Sequence, residues 1–157
     1  MVEIPDDIKK MISNQGIIVV GSVDINGVCN VSPRSAFFCS NETICWLDYF
    51  SHKSRQNFQQ IPWISIAVFD KEQLKGFQLK GKVSFLTDEN EKKGIIDLII
   101  RTCPGNTCKI YQELANNNQI QVMMFKPKAI YSLNPQEEAG QALVLDNDGE
   151  TVSLLGI

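Results

Sequence analysis

The feature that most constrains this chain is a change of hydrophobic period after residue 16. Residues 17–23 are short, apolar and rich in β-branched side chains (Ile17, Ile18, Val19, Val20, Val23), and Asn26-Gly27 follows. β-Branched residues lose rotamer freedom in a helix and fit a pleated sheet. Asn-Gly is the dipeptide that best tolerates the positive φ angles of a tight hairpin turn. The pattern predicts a strand, a turn and a returning strand over about 28–38. A hairpin pairs its own two strands antiparallel.

The remaining segments extend that sheet. Ser40, Asn41 and Glu42 read as a second turn and 43–48 as a third strand. Residues 63–69 are apolar on both alternating faces, which suits a barrel strand with one face in the core and the other against a helix or a partner. Phe77, Leu79, Gly81, Val83 and Phe85 alternate with polar residues along 77–86, and 120–133 reads as a long last strand bent at Pro127. Helices are expected over 5–14, with Pro5 at its start and Gly16 as its stop, and over 53–61, with Ser51 as cap and Pro62 beyond. Another should start at Asp88 with Glu91 three residues on, and a short one is expected near 111–115. Six strands in hairpin-rich order, with helices inserted between some of them, make the fold class mainly β with helices and suggest a small closed or half-open barrel.

At 157 residues the chain is expected to form one domain over 1–133. Residues 134–157 form an acidic C-terminal tail, with a further strand expected at 151–155 and a partner subunit as one possible docking surface. From Ala129 onward there are five acids (Glu137, Glu138, Asp146, Asp148, Glu150) and no Lys or Arg. No apolar run approaches the roughly 20 residues of a membrane span. Asp6, Asp7, Lys9 and Lys10 break the pattern of a signal peptide, so a cytoplasmic protein is expected. A net charge of −3 argues against nucleic-acid binding. His52 is the only histidine and the five cysteines match no metal-ligand spacing, so no metal site and no nucleophile–base–orienter set is expected. Cys103 and Cys108 read as loop thiols, with a redox-labile pair as the exception.

Two stretches carry chemistry. Trp46 to Asn57 places a strand end before a helix N-terminus that bears Ser51, Lys53, Ser54 and Asn57. Free backbone N–H groups, hydroxyls and an ammonium together suit a phosphate dianion, although a solvated, capped surface helix has the same composition. The second stretch, Asn30-Val31-Ser32-Pro33-Arg34-Ser35, lies in the preceding strand, which a hairpin brings beside Trp46–Asp48. Pro33 removes a backbone donor and so marks an edge or a bulge.

In these two stretches, and in their order along residues 4–133, the chain resembles the FMN-binding split-barrel family, the group of pyridoxamine 5′-phosphate oxidase and its relatives. The shared order is hairpin, strand with Ser-Pro, strand ending in Asp, Lys-Ser-x-x-Asn helix, Pro, apolar strand, then Lys75-Gly76…Lys80-Gly81. The resemblance implies a six-stranded antiparallel split β-barrel with Greek-key character, flanked by short α-helices, and a homodimer with FMN in two clefts at the subunit interface. It implies Lys53 and Ser54 on the phosphate, supported by Ser51 and Asn57. Ser32, Pro33, Arg34 and Ser35 would line the phosphate, ribityl chain and ring edge, and Leu47 and Asp48 would lie beside the isoalloxazine. The partner's last strand, around 125–128, would complete the cleft. Pyridoxamine phosphate oxidation itself is not carried over, because those enzymes grip substrate with C-terminal Arg and His residues and this chain has neither after Arg101. The expectation is an FMN-dependent oxidoreductase or electron-transfer protein with an unknown redox partner or small-molecule substrate. The alternative is a non-catalytic module for flavin or another phosphorylated or planar ligand.

Overall fold

The computed structural model describes residues 1–49, 53–103, 113, 120–137, 140–148 and 150–151. In chain order the elements are α1 (Asp6–Gln15), β1 (Ile18–Val23), β2 (Cys29–Arg34), β3 (Phe37–Cys39), β4 (Ile44–Asp48) and α2 (Lys53–Gln60). They continue with β5 (Trp63–Asp70), β6 (Lys75–Phe85), α3 (Glu89–Thr102), β7 (Gln121–Ser132) and β8 (Ala142–Leu145).

The strands form one sheet in the order β2-β1-β5-β6-β7-β4-β3, with β8 added to β7, and the pairings are antiparallel. β2 and β3 lie at opposite ends of that path, yet only Ser35 and Ala36 separate them in the chain. The three Cα steps from Arg34 to Phe37 reach no further than about 11 Å. The sheet must therefore curl until its ends meet, and covalent continuity closes it there. This is the split barrel expected from the sequence, with eight strands among the described residues where six were expected. The two additional strands have separate causes. The returning strand divides at Ser35-Ala36 because the chain leaves one end of the sheet for the other, and Ala142–Leu145 pairs with β7 of its own chain inside the stretch expected as tail. Ser51, His52, Cys108, the 111–115 helix apart from Glu113, and the 151–155 strand beyond Thr151 lie outside the described residues.

Two cores hold the curl. Ile18, Val20, Trp46, Ile66, Leu79 and Phe125 fill the inside together with Ile8 and Ile12 of α1 and Phe58 of α2. The opposite face of β4 presents Cys45 and Leu47 to Ile99 of α3, so β4 is buried on both sides along its whole length. α3 starts as its sequence predicts, with the Asp88 carboxylate accepting the Glu91 N–H at 2.8 Å. α1 ends at Gly16, whose φ of 65° lets its N–H reach the Ile12 carbonyl. The register of β6 against β7 shifts between Lys80 and Gly81, where Gly81 faces Pro127. Pro127 brings no N–H to the ladder, and the absent Gly81 side chain admits the Lys126 carbonyl.

The first hairpin is wider than a two-residue Asn-Gly turn. Gly27 has a φ of 79°, whereas Asn26 is not among the positive-φ residues. The Gly27 N–H donates to the Asp24 carbonyl at 3.0 Å and the Asp24 N–H to the Val28 carbonyl at 3.1 Å, which leaves Ile25-Asn26-Gly27 as a three-residue loop. The side chain of Asp24 selects it by accepting the N–H groups of Asn26 at 2.9 Å and Val28 at 3.0 Å. Among the described residues no helix is long and apolar enough to cross a membrane, a statement that does not bear on β-barrels.

Candidate functional site

Burial alternates along β2: Asn30, Ser32 and Arg34 turn inward, while Cys29, Val31 and Pro33 face out. The inward residues stand opposite Ser22, Val20 and Ile18 of β1. α2 lies over this end of the sheet and buries Ser54, Asn57 and Phe58, whose spacing puts them on one helix face. Phe58 anchors the helix edge-on against Trp46, with ring centroids 6.0 Å apart. Such a contact is worth about 0.5–1.5 kcal/mol beyond the area it buries. Asn57, with no exposed surface, donates through Nδ2 to Ser22 Oγ at 3.0 Å.

This docking creates a polar cluster at the start of α2. Ser54 Oγ is 3.5 Å from Ser32 Oγ and accepts from Arg34 Nη2 at 3.2 Å. The same Nη2 is 3.9 Å from Asp48 Oδ1 at the end of β4, and Nη1 donates to the Pro33 carbonyl at 2.9 Å. Arg34 Nε is buried and has no partner among the described residues, as is Asn57 Oδ1. Lys53, the first residue of α2, extends toward the hairpin, and its Nζ meets Asp24 Oδ2 at 3.1 Å. The N–H of Val28 and the Lys53 ammonium together hold the Asp24 carboxyl below the usual carboxylate range.

The sequence-expected residues therefore divide. Ser32, Arg34, Asp48 and Ser54 converge; Lys53 stands beside them on Asp24; Asn57 supports the helix from beneath. Pro33 contributes its carbonyl and faces outward. Leu47 does not join the cluster, because it points into the core beneath α3. Ser35 lines a separate hollow of about 330 Å³ with Phe37, Phe38 and Cys39. Of the segment 125–128, Phe125 is fully buried in its own core, Lys126 is exposed, and Lys128 is held by Asp146 and Asp148. Two participants, Ser22 and Asp24, were not singled out from sequence. Ser22 carried no signal, but an Asp two residues before Asn-Gly is a turn-capping pattern that could have drawn attention to Asp24. Among the described residues no group of three or more His, Cys, Asp or Glu side chains could hold a metal ion.

The family model described as pyridoxamine 5′-phosphate oxidase matches residues 4–137. The chain belongs to that family. No curated protein sequence matches it. Solved structures of the same fold include HutZ, the heme storage protein of Vibrio cholerae, at a TM-score of 0.67 and 18% identity, covering 83% of this chain and 94% of that one. An FMN-binding protein from Syntrophomonas wolfei aligns at 0.61 and 16% identity over 81% of this chain and 84% of that one. A protein of the pyridoxinephosphate oxidase family from Clostridium acetobutylicum, related to general stress protein 26 of Bacillus subtilis, aligns at 0.66 and 15% identity, covering 82% and 86%. At these identities the likeness is one of fold.

Proposed function

We propose that this chain is an FMN-binding flavoprotein, working as a homodimer in oxidation–reduction or electron transfer. The observation that carries the reading is the convergence of Ser32, Arg34 and Ser54 at the start of α2, with a buried Arg34 Nε that lacks an acceptor among the described residues. A phosphate monoester meets that donor set: two hydroxyls, a guanidinium edge, the Lys53 ammonium within side-chain reach and a helix start, whose first-turn N–H groups have no intrahelical acceptor. The residues present thus fit the phosphate end of FMN. Bound there, the flavin would supply the redox chemistry, which accounts for a site whose described residues form no acid–base constellation. The chain's own work is to bind and orient. Arg34 and Ser54 fix the anionic end, and Asn57 holds α2 on β1 so that both stay in register.

The homodimer has its own support. On the outer face of the sheet, behind the cluster, lies an apolar hollow of about 610 Å³ lined by Val23, Val31, Ile61 and Trp63, with Lys80 at its margin. Val31 there is 68% exposed, and an open apolar hollow of this kind marks an interaction surface that a second subunit would cover. Sedimentation of the purified protein checks this reading, and a monomer at micromolar concentration refutes it.

The test of the ligand is the absorbance spectrum of freshly purified protein with mass analysis of what it releases. FMN supports the reading. A Soret band with released haem, the ligand class in the name of HutZ, overturns it in favour of a planar-ligand module. Lys53→Ala should weaken FMN roughly 10–150-fold, the value of one charge-assisted contact. Unchanged affinity would remove Lys53 from the phosphate site.

A further inference from the structure

Both cations of the cluster already rest on carboxylates. Arg34 Nη2 lies 3.9 Å from Asp48, and Lys53 Nζ lies 3.1 Å from Asp24. The two pairs differ in who can move. Arg34 is nearly buried, makes two further hydrogen bonds and keeps Nε for a ligand, so it can serve an anion without leaving Asp48. Lys53 is half exposed on a flexible stem. Asp24 is fixed, because Oδ1 accepts the N–H groups of Asn26 and Val28 and only Oδ2 remains for Lys53. Its side chain is 9% exposed. A stationary carboxylate therefore holds the one ammonium that must swing to a phosphate.

We propose that Asp24 is a specificity-determining residue: an internal competitor for Lys53 that weakens the site for phosphate-bearing ligands relative to uncharged ones. The proposal rests on the flavin reading above and deepens it. Two consequences distinguish it from a purely architectural role for Asp24 in the hairpin. Its effect must depend on the ligand's phosphate, because the competition is between two anions for one cation. It must also vanish when Lys53 is gone, because the two residues then share nothing to compete for.

Asp24→Asn preserves the architecture, since the amide oxygen can accept the same two N–H groups, and it removes the negative charge. Asp24→Ser, whose hydroxyl makes similar turn contacts, is the second variant should the first fail to fold. FMN and riboflavin are titrated into apo-protein by flavin fluorescence for wild type, Asp24→Asn, Lys53→Ala and the double variant. The expected result is FMN bound roughly two- to fivefold more tightly by Asp24→Asn, the range of a partly exposed charge interaction. Riboflavin affinity should not change, and the gain should disappear in the Lys53→Ala background. Unchanged or weaker FMN binding overturns the proposal, as does an equal gain for both ligands or a gain that survives loss of Lys53. Those results leave the flavin reading standing. Failure of every protein, wild type included, to bind FMN removes both together.

Discussion

Removing the Asn57 side chain should loosen α2 before any ligand is involved. Asn57 is fully buried, and its Nδ2 donates to Ser22 Oγ at 3.0 Å. Asn57→Ala leaves that hydroxyl, on a residue only 7% exposed, without its donor. A buried polar atom left unsatisfied costs about 1–3 kcal/mol. For a chain of 157 residues each kcal/mol moves the melting temperature by about 2–4 °C, so Tm should fall by roughly 2–12 °C. The truncation also removes packing atoms, which a double-mutant cycle with Ser22→Ala separates out. The two losses should be sub-additive by about 0.5–1.5 kcal/mol, the net worth of one hydrogen bond. Calorimetry or urea unfolding of the four ligand-free proteins reads this directly. A flavin titration adds a second discrimination: a displaced helix weakens FMN and riboflavin together, whereas an Asn57 that touched the phosphate would weaken FMN alone. Unaltered apo-protein stability in Asn57→Ala, or strict additivity in the cycle, would refute the helix-pinning argument.

Three further outcomes follow from the same structure. Burial pushes the thiols of Cys39 and Cys45 up to about 11, so at pH 8 only about one in a thousand is thiolate; alkylation followed by mass spectrometry should modify exposed Cys29 before either of them, and rapid labelling of Cys45 would contradict its burial. Gly81→Ala drives a methyl group into the Lys126 carbonyl at the β6–β7 irregularity, and should cost about 1–3 kcal/mol or more, read as a lowered urea midpoint. Lys128 binds Asp146 at 2.9 Å and Asp148 at 2.7 Å, which lowers both carboxyls and raises the ammonium. The carboxylates stabilise the native state above about pH 4 and lose that contribution as pH falls through their lowered values; the lysine contributes below about pH 10 and loses it as pH rises through its raised one. Protection factors of the β8 amides, with the intrinsic pH dependence of exchange divided out, should therefore be greatest between those limits and fall at both ends, and a flat protection profile would deny the lysine any part in holding the strand.

Much of the fold was legible because periodicity and punctuation agreed. The apolar alternation of 63–69, the Asp88-x-x-Glu91 start of α3 and Gly16 after α1 each specify a local structure that tertiary packing then keeps. The division of β2 from β3 was not legible. Residues 28–38 read as one extended run, and only the meeting of the two ends of a curled sheet requires the chain to break between Arg34 and Phe37. β8 was equally hidden, since four residues of an acidic tail carry little signal until Lys128 and β7 are there to receive them.

The site shows the same boundary from the side of chemistry. Residue type and order were enough to bring Ser32, Arg34, Asp48 and Ser54 to one place, because a hairpin register and one helix face determine where those side chains meet. Direction was harder. Leu47 and Asp48 are neighbours on a strand and so must face opposite ways; with Asp48 turned toward Arg34, Leu47 is sent to the core under α3 and cannot also border a cleft on the Arg34 side. The state of Lys53 was harder still. Its partner lies 29 positions away in a hairpin loop whose width depends on that partner's own side chain. A lysine at a helix start thus reads from sequence as free positive charge, while in the fold its charge is committed to Asp24. The affinity of such a site for an anion is set by the difference between two attachments of one ammonium, and only one of them can be inferred from the residues around it.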